Sequence, residues 1–417
     1  MATAGRRPGP QDAYAQWLAA CTAAGWRCEP VAEQVPVRDG LGRVTAVPLR
    51  ARWPSPPNTC AAMDGIAIKA SSAPGPADAA GRWQLPATDF TWIDTGDLLP
   101  PGMDTVVERE RVQLRAVGGA WITGPAPRGQ HVRPRGEDFQ AGQLLLPAGH
   151  RLRPPDLAAA AAAGHATLDV ARQPVVAIIP TGDEVRPAGS ALGPGQFIDS
   201  NSVMLASRAA ETGALPVVSD VQPDSPDAIA AALQQAALEA GLVLVIAGSS
   251  AGRRDHTAAV LSREGGLAVR GVAVRPGHHV LLGYIGRAGA ARPVPVIGIP
   301  GYPLAAAVIF ELFAVPLLCA LQGGRLPDRA WQRVQLACDW TSSPDVEDWV
   351  PVSLTPGPGG PDDNTTVVAT PGRRGAGSVS RLVRAHAWWP IPIGEAKFTR
   401  GEHIDVLPIP GAPPAHH

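Results

Sequence analysis

The stretch VVAIIPTGDEV, residues 175–185, runs an unbroken series of apolar side chains into a turn that carries two adjacent acids, Asp183 and Glu184. A run that does not alternate apolar with polar suits a strand buried on both faces, the condition of strands in a parallel sheet covered by helices. Three more runs of strand length follow, PVVSDV (216–221), LVLVIA (242–247) and PVPVIGI (293–299), with helical stretches between them. Asp199 or Ser200 is placed to cap NSVMLASRAAETG, and Ser225 or Asp227 to cap AIAAALQQAALEAG, while Gly213 and Gly241 close the two segments. The expected unit is an α/β layer of parallel strands with crossover helices.

Outward from this unit the pattern changes. Towards the N-terminus, QDAYAQWLAACTAAG (11–25) reads as a short amphipathic helix, and Val31 to Trp53 as short strands broken at Asp39-Gly40. Between Ala51 and Arg135, pieces such as GIAIKA, WQLPA, DTVVERERVQL and WITG alternate with Pro/Gly turns, which suits a small, mostly β unit with no helix beyond two turns. A proline-flanked helix, DLAAAAAAGHA (156–166), precedes the α/β unit. From about Arg325 onward, RVQLACDW, DWVPVSL and HIDVLPIP return to β-like runs and are expected to form a separate C-terminal domain.

The 417 residues exceed one ordinary domain and imply about three or four compact units. With 36 Lys plus Arg against 37 Asp plus Glu, the chain has no overall basic field of the kind nucleic acid requires. Cys21, Cys28, Cys60, Cys319 and Cys338 contain no Cys-x-x-Cys pair, which argues against a structural zinc site or a disulfide framework and fits a reducing cytoplasm. The first residues lack the apolar core of a signal peptide, and no segment is expected to approach the roughly 20 apolar residues of a membrane span.

Ligands of open α/β sheets bind beyond the carboxyl ends of the strands. Three loops there stand out: Thr181-Gly182-Asp183-Glu184, Gly248-Ser249-Ser250-Ala251-Gly252 with Asp255 behind it, and Pro300-Gly301-Tyr302-Pro303 before a long helix. They are expected to converge on one rim. The GSSAG loop leads into a helix beginning near Asp255, and free backbone N–H groups at a helix start suit a phosphate; a tight turn that needs glycine is an equal reading. The carboxylates of Asp183, Glu184 and Asp255 suit Mg²⁺ held against phosphate oxygens, although each acid alone reads as a helix cap or solvated loop acid. In the β-rich part, Met63 reads as core, Asp64-Gly65 as a hairpin turn, and Thr95-Gly96-Asp97 as a turn with a functional hydroxyl as the minority reading. Adjacent His278 and His279, placed on a strand, would point to opposite faces, which disfavours metal ligation by the pair.

The order of these pieces resembles the molybdopterin molybdenumtransferase family (MoeA, gephyrin E-domain), in a divergent paralogue subgroup. The resemblance runs through NTCAAMDGIAI, TGDLLPPGMDTVV, VRPRGEDFQAGQLLLPAGHRL, IIPTGDEV, GQFIDSNSVMLASRAAETGA, AGSSAGRRDH, RPGHHVLLG, GIPGYPLAAAVIFELF and GAGSVSRLVRA, nearly the whole chain. It implies an elongated, L-shaped subunit that is α/β plus β: a MoaB/MogA-like doubly wound α/β domain (10–23 and 172–324), a β-rich domain (52–137), a small linking domain (24–51 and 138–171) and a C-terminal β-barrel-like domain (325–417). It further implies a homodimer whose active site lies between the α/β domain of one subunit and the β-rich domain of its partner. The implied substrates are adenylylated molybdopterin and molybdate, with Mg²⁺, or Zn²⁺ in its place, assisting insertion and AMP released. Carried over by position, Asp64, Thr95, Asp138, Glu184 and Asp255 are the catalytic set, and Glu184, Asp224 and Asp255 the metal set. Gly248, Ser249, Ser250, Gly252, Arg275, Pro300, Gly301 and Ser378 would hold the cofactor. An adenylyltransferase and a client molybdoenzyme are the implied partners, with no nucleic acid or membrane.

The chain departs from the family pattern at identifiable places. The usual Lys-Pro-Gly-Lys-Pro is Arg275-Pro276-Gly277-His278-His279, an upstream position often Lys is Gly271, and the Pro-Gly-Asn-Pro loop carries Tyr302. Arg keeps the charge with a different donor geometry, and His is only partly charged near neutrality. Arg253 and Arg254 are candidates to offset the missing lysines. Retained acids favour an active transferase, using molybdate or tungstate; the replaced lysines favour a non-catalytic pterin or cofactor carrier. Pterin adenylylation by the α/β domain alone is a third, weaker reading.

Overall fold

The computed structural model describes residues 7–73, 78–246, 256–286, 292–326, 330–357, 367–372, 375 and 377–412. They fall into two compact units, residues 32–170 and residues 1–31 with 171–417.

The larger unit is centred on a six-stranded sheet ordered Leu215–Val218, Val175–Pro180, Leu242–Ile246, Val294–Ile299, Leu281–Ile285, Gly265–Arg270. The first four strands are parallel, as their unbroken apolar runs require. Leu281–Ile285 runs antiparallel to both of its neighbours, which corrects the expectation of parallel strands throughout. The reason is local: no helix separates Gly265–Arg270 from Leu281–Ile285, so the chain turns straight back on itself instead of crossing over. Strand alternation then separates two cores. Val176, Ile178, Leu244, Ile246, Ile297 and Ile299 face one side with Leu205 and Phe310, whereas Ala177, Ile179, Val243, Val245 and Val296 face the other with Ile229, Leu233 and Val260. Each fully buried aliphatic side chain contributes about 1.5–3 kcal/mol relative to exposure. The N-terminal helix Pro10–Ala23 covers the antiparallel edge, where Trp17 Nε1 donates to the Gly283 carbonyl at 2.6 Å.

One helix, Pro303–Leu321, is long and apolar enough to cross a membrane by length and composition, so the expectation that no segment reaches that length is corrected. Two-thirds of it is buried as the central helix of the core, with Phe310 and Phe313 fully enclosed. Its middle turn, Phe310–Ala314, widens to a π-helix just before Pro316, which has no N–H for an i−4 carbonyl. At Asn201–Glu211 the cap is Asp199, whose Oδ1 accepts the Ser202 N–H at 2.9 Å; Ser200 makes no side-chain cap bond. At Pro226–Ala237 neither candidate is seen to cap, and Pro226 occupies the first turn.

Residues 332–408 form a closed five-stranded barrel. Glu347–Pro356 pairs with both Val367–Pro371 and Ala387–Ile391, and Gln332–Leu336 and His403–Pro408 complete the ring. Val334, Val352, Trp389, Ile391 and Val406 fill it. A short strand from the α/β segment, Val274–Arg275, pairs in parallel with Glu347 and Asp348 on its outside.

The smaller unit packs two three-stranded antiparallel sheets through Ile66, Ile68, Leu85, Val107 and Ile122. Gly65 opens the central strand of one, paired to Ile93 and Glu108 at once, so Asp64-Gly65 is not the hairpin turn expected. A Cβ there would sit 1.9 Å from the Val107 carbonyl oxygen, so only glycine allows the approach. Met63, expected in the core, is exposed because it precedes this strand on the surface side. The same unit includes the helix Pro154–Ala162, anchored by Asp156, whose Oδ2 accepts the Arg153 N–H at 2.8 Å while Arg153 and His150 side chains also bond it.

Candidate functional site

In the larger unit, register aligns the carboxyl ends of three adjacent strands: Pro180 pairs with Ile246, and Ile246 with Ile299. The chain therefore leaves for residues 181–184, 247–255 and 300–303 from one edge, as the sequence leads one to expect. Thr181 ties two of these exits together, its N–H and Oγ1 each donating to the Ile246 carbonyl at 3.0 Å. Gly248, Ser249, Ser250, Gly252 and Asp255, with Arg253 and Arg254, lie outside the described residues.

Two acid-bearing loops meet beside this edge. Asp183 Oδ1 accepts the Asp224 N–H at 3.2 Å, which brings the Glu184 and Asp224 segments together. Glu184 is also braced through its carbonyl, which accepts the Phe197 N–H at 3.0 Å. The donors are carboxylate oxygens, a chemistry that suits Mg²⁺ more than Zn²⁺, which leans on imidazole and thiolate. Among the described residues no group of three or more His, Cys, Asp or Glu is arranged to hold a metal. Glu184 and Asp224 carry donors of the type Mg²⁺ takes, on two segments joined by the Asp183–Asp224 bond.

On the third exit, Asn201 was not singled out by its sequence, yet it fixes the loop. Its Nδ2 donates to the Gly301 carbonyl at 2.7 Å, while its buried Oδ1 has no hydrogen-bond partner. Ser378 precedes the helix Val379–Arg384, and a Cβ on its neighbour Gly377 would lie 3.4 Å from the Tyr302 ring, so the Ser378 segment reaches the Pro300–Tyr302 loop.

A cavity of about 390 Å³ opens where this loop meets the barrel, walled by Arg275, His278, His279, Tyr302, Trp340 and Trp349 among others. Arg275 does not project a free charge into it. Its Nε lies 3.1 Å from Asp348 Oδ1, one Nη bonds Asp348 Oδ2, and Ser342 Oγ donates to that same oxygen at 2.9 Å. Asp348 is only 4% exposed. His278 and His279 occupy a turn, not the strand expected of them, with ring centroids 3.8 Å apart on one side of the chain. The turn is set by Gly277 at φ +116°, where any Cβ would meet Ile309 at 2.8 Å. Burial, with the charges of His279 and Arg7, holds His278 below the ordinary histidine pKa.

The smaller unit brings two of the candidate residues into contact. Asp64 Oδ1 accepts both the Thr95 N–H and the Thr95 hydroxyl, each at 2.7 Å. These bonds, aided by Arg109, lower the Asp64 pKa from the usual carboxylate value. Asp138 is not part of this pair. The antiparallel register Cys60↔Arg133 and Ala61↔Val132 leads the two acids apart, and the Asp138 N–H binds the Ser55 carbonyl at 2.9 Å.

Three features define the class: a β-rich unit presenting a fixed carboxylate, a doubly wound α/β unit with three strand exits on one edge, and a closed barrel. Family models match in the same order, MoeA N-terminal region (domain I and II) at residues 10–164, probable molybdopterin binding domain at 177–320, and MoeA C-terminal region (domain IV) at 333–409. The molybdopterin molybdenumtransferase of Nostoc sp. is 29% identical over 88% of this chain and 87% of its own. Molybdopterin molybdenumtransferase 2 of Mycobacterium tuberculosis is 31% identical over 76% and 81%. The crystal structure of the molybdopterin biosynthesis MoeA protein from Pyrococcus horikosii superposes with a TM-score of 0.78 at 28% identity, covering 96% of this chain and 98% of that one. The chain belongs to the molybdopterin molybdenumtransferase (MoeA) family, and its function is that of a transferase in molybdenum cofactor biosynthesis.

Proposed function

We propose that the protein inserts molybdenum into adenylylated molybdopterin and releases AMP. The observation that carries this reading is the alignment of Pro180, Ile246 and Ile299, which sends three loops to one edge beside the Glu184 and Asp224 carboxylates. Such an edge suits a substrate joined by a phosphoanhydride, whose charge must be neutralised before water attacks phosphorus. In the reaction, water oxygen bonds to phosphorus, the bridging P–O bond breaks, and AMP leaves. Glu184 and Asp224, with Asp255, would hold Mg²⁺, which supplies charge neutralisation on the phosphate oxygens. The 248–252 amides, Pro300, Gly301, Ser378 and Arg275 border the substrate in this reading.

Asp64 has a different task. A carboxylate that accepts two bonds from Thr95 stays ionised and is a weak proton acceptor, so it serves as a fixed negative charge for a cationic or protonated group. It acts, with Thr95 and Asp138, on the α/β edge of a second copy in a homodimer. The cytoplasm is the compartment this reading requires.

The test is AMP release from adenylylated molybdopterin by purified protein, with and without molybdate, tungstate and Mg²⁺, beside an Asp64→Ala variant. Oxyanion-dependent release that the substitution abolishes supports the transferase. Tight binding without release would make the protein a carrier, the reading that the replaced lysines favour.

A further inference from the structure

Among the described residues, His131 is the sole non-glycine residue with a positive φ, +51°. A side chain in the left-handed region carries strain that its surroundings must hold, and such strain gathers where a group has to be aimed. Backbone pairing fixes where His131 stands. Its carbonyl accepts the Ala62 N–H at 2.8 Å, and Val132 beside it pairs with Ala61, so the ring lies next to the segment that carries Asp64. Glu108, paired through its backbone with Gly65, faces the ring, with Oε2 at 3.6 Å from His131 Nε2. The other oxygen of Glu108 lies 3.8 Å from Arg111 Nη1, and Arg111 is itself tied down, donating to the Thr123 and Pro125 carbonyls at 2.6 and 2.8 Å.

Both side-chain neighbours of the ring work on the same nitrogen. Gln130 Nε2 lies 3.2 Å from His131 Nε2, while Gln130 Oε1 is buried without a partner; a half-turn of that amide gives the orphan oxygen the ring N–H. Glu108 and Gln130 thus favour a proton on Nε2. Nδ1 has no hydrogen-bond partner among the described residues, and the ring is half-buried, open to a ligand on that side. An imidazole held through one nitrogen and free at the other is arranged to move protons. Asp64, held ionised by Thr95, has no proton to give.

We propose that His131 is a further catalytic residue, the proton donor of the reaction, with Glu108 as its positioning residue. The inference rests on the transferase reading. As water oxygen bonds to phosphorus and the bridging P–O bond breaks, the bridging oxygen leaves with the electron pair; the protonated ring gives it the Nδ1 proton, and the proton lost by the attacking water restores the imidazolium. Nε2–H stays on the Glu108 side throughout. Like Asp64, His131 acts on the α/β edge of a second copy. The charged groups around it are Glu108 and, behind that, Arg111, with Asp64 and Arg109 on the adjoining strand ends.

The experiment is AMP release from adenylylated molybdopterin across pH by the full chain and by His131→Gly, His131→Asn and Glu108→Gln, with melting temperatures alongside. Glycine adopts a positive φ without strain, so His131→Gly removes the ring and is expected to leave the melting temperature no lower. Its rate is expected to fall about a hundredfold or more, the scale of general acid catalysis. The alkaline limb, where the donor has lost its proton, should vanish with it, and added imidazole should restore part of the rate. His131→Asn is expected to fall as far, and Glu108→Gln to fall less and keep the limb. An unchanged rate in His131→Gly overturns the proposal, as does a loss that leaves the alkaline limb in place. A parent that releases AMP beside an unaffected His131→Gly removes this inference alone; a parent that releases none removes the transferase reading and this inference with it.

Discussion

Thr95 approaches Asp64 with two donors at once, its backbone N–H and its hydroxyl, both 2.7 Å from the same carboxylate oxygen. The hydroxyl bond is the leading cause of the lowered Asp64 pKa, followed by the amide. Thr95→Val keeps the β-branched shape and the amide but removes the hydroxyl. The acid limb of the AMP-release profile, which follows ionised Asp64, is expected to move to higher pH in this variant while the plateau near neutrality changes little. A limb that stays in place would detach Asp64 from the ionisation that limits the rate.

Asp64→Ala is expected to reduce AMP release by at least about a hundredfold, the scale seen when a preorganised charge is removed from an active site. Asp64 is exposed, so the melting temperature should be almost unchanged. Parallel loss of activity and melting temperature would instead show that the acid holds the fold.

Asp156 offers a contrast, a carboxylate whose role is stability. Bonds from the Arg153 side chain, then His150 and the Arg153 amide, lower its pKa well below the usual range. A lowered folded-state pKa means stabilisation fully present above the unfolded value, about 3.9, and lost as pH falls through the folded value. Asp156→Ala is expected to cost roughly 1–3 kcal/mol at neutral pH, through the lost cap and the unpaired donors, and to flatten the acid side of the stability curve. Denaturant melts between pH 7 and pH 3 measure both.

Asp348→Asn keeps the shape beside Arg275 while removing the charge that occupies it. Molybdate affinity is expected to rise several-fold, because the guanidinium then faces the cavity without a competing carboxylate. Calorimetric titration with molybdate reads this directly; unchanged affinity would mean that Asp348 does not hold Arg275 from anions.

For the carboxylates of the α/β edge, Glu184→Gln and Asp224→Asn are each expected to raise the Mg²⁺ concentration needed for half-maximal AMP release by about tenfold or more, with saturating activity partly recovered. Equal loss at all Mg²⁺ concentrations would place these side chains outside the metal's reach.

Much of the fold was legible in the sequence because burial writes itself into periodicity. Val175–Pro180 and Leu242–Ile246 are apolar at every position and lie inside the sheet with both faces covered. Gly265–Arg270 and Leu281–Ile285 are hard to read from the sequence since glycine interrupts them and no helix separates the two. Site residues divide the same way. Asp64 and Thr95 stand in short motifs whose acids and hydroxyls draw attention, yet nothing in the sequence says that they bond each other across 31 positions. Asn201 and Asp348 gave no signal: their partners, Gly301 and Arg275, are 100 and 73 residues away. The His278-His279 segment is a turn and not a strand because Gly277 redirects the backbone one residue earlier.

The short strand Val274–Arg275 leaves the α/β segment to hydrogen-bond with the barrel at Glu347 and Asp348, and Trp349, Trp388 and Leu407 of the barrel pack in the same core as Phe310. The consequence is one of modularity. The α/β segment is not a detachable cassette: cutting the chain before residue 332 would bare an unpaired strand edge and a tryptophan-sized hole. Gene fusions or truncations that treat residues 177–320 as self-sufficient should yield material that aggregates.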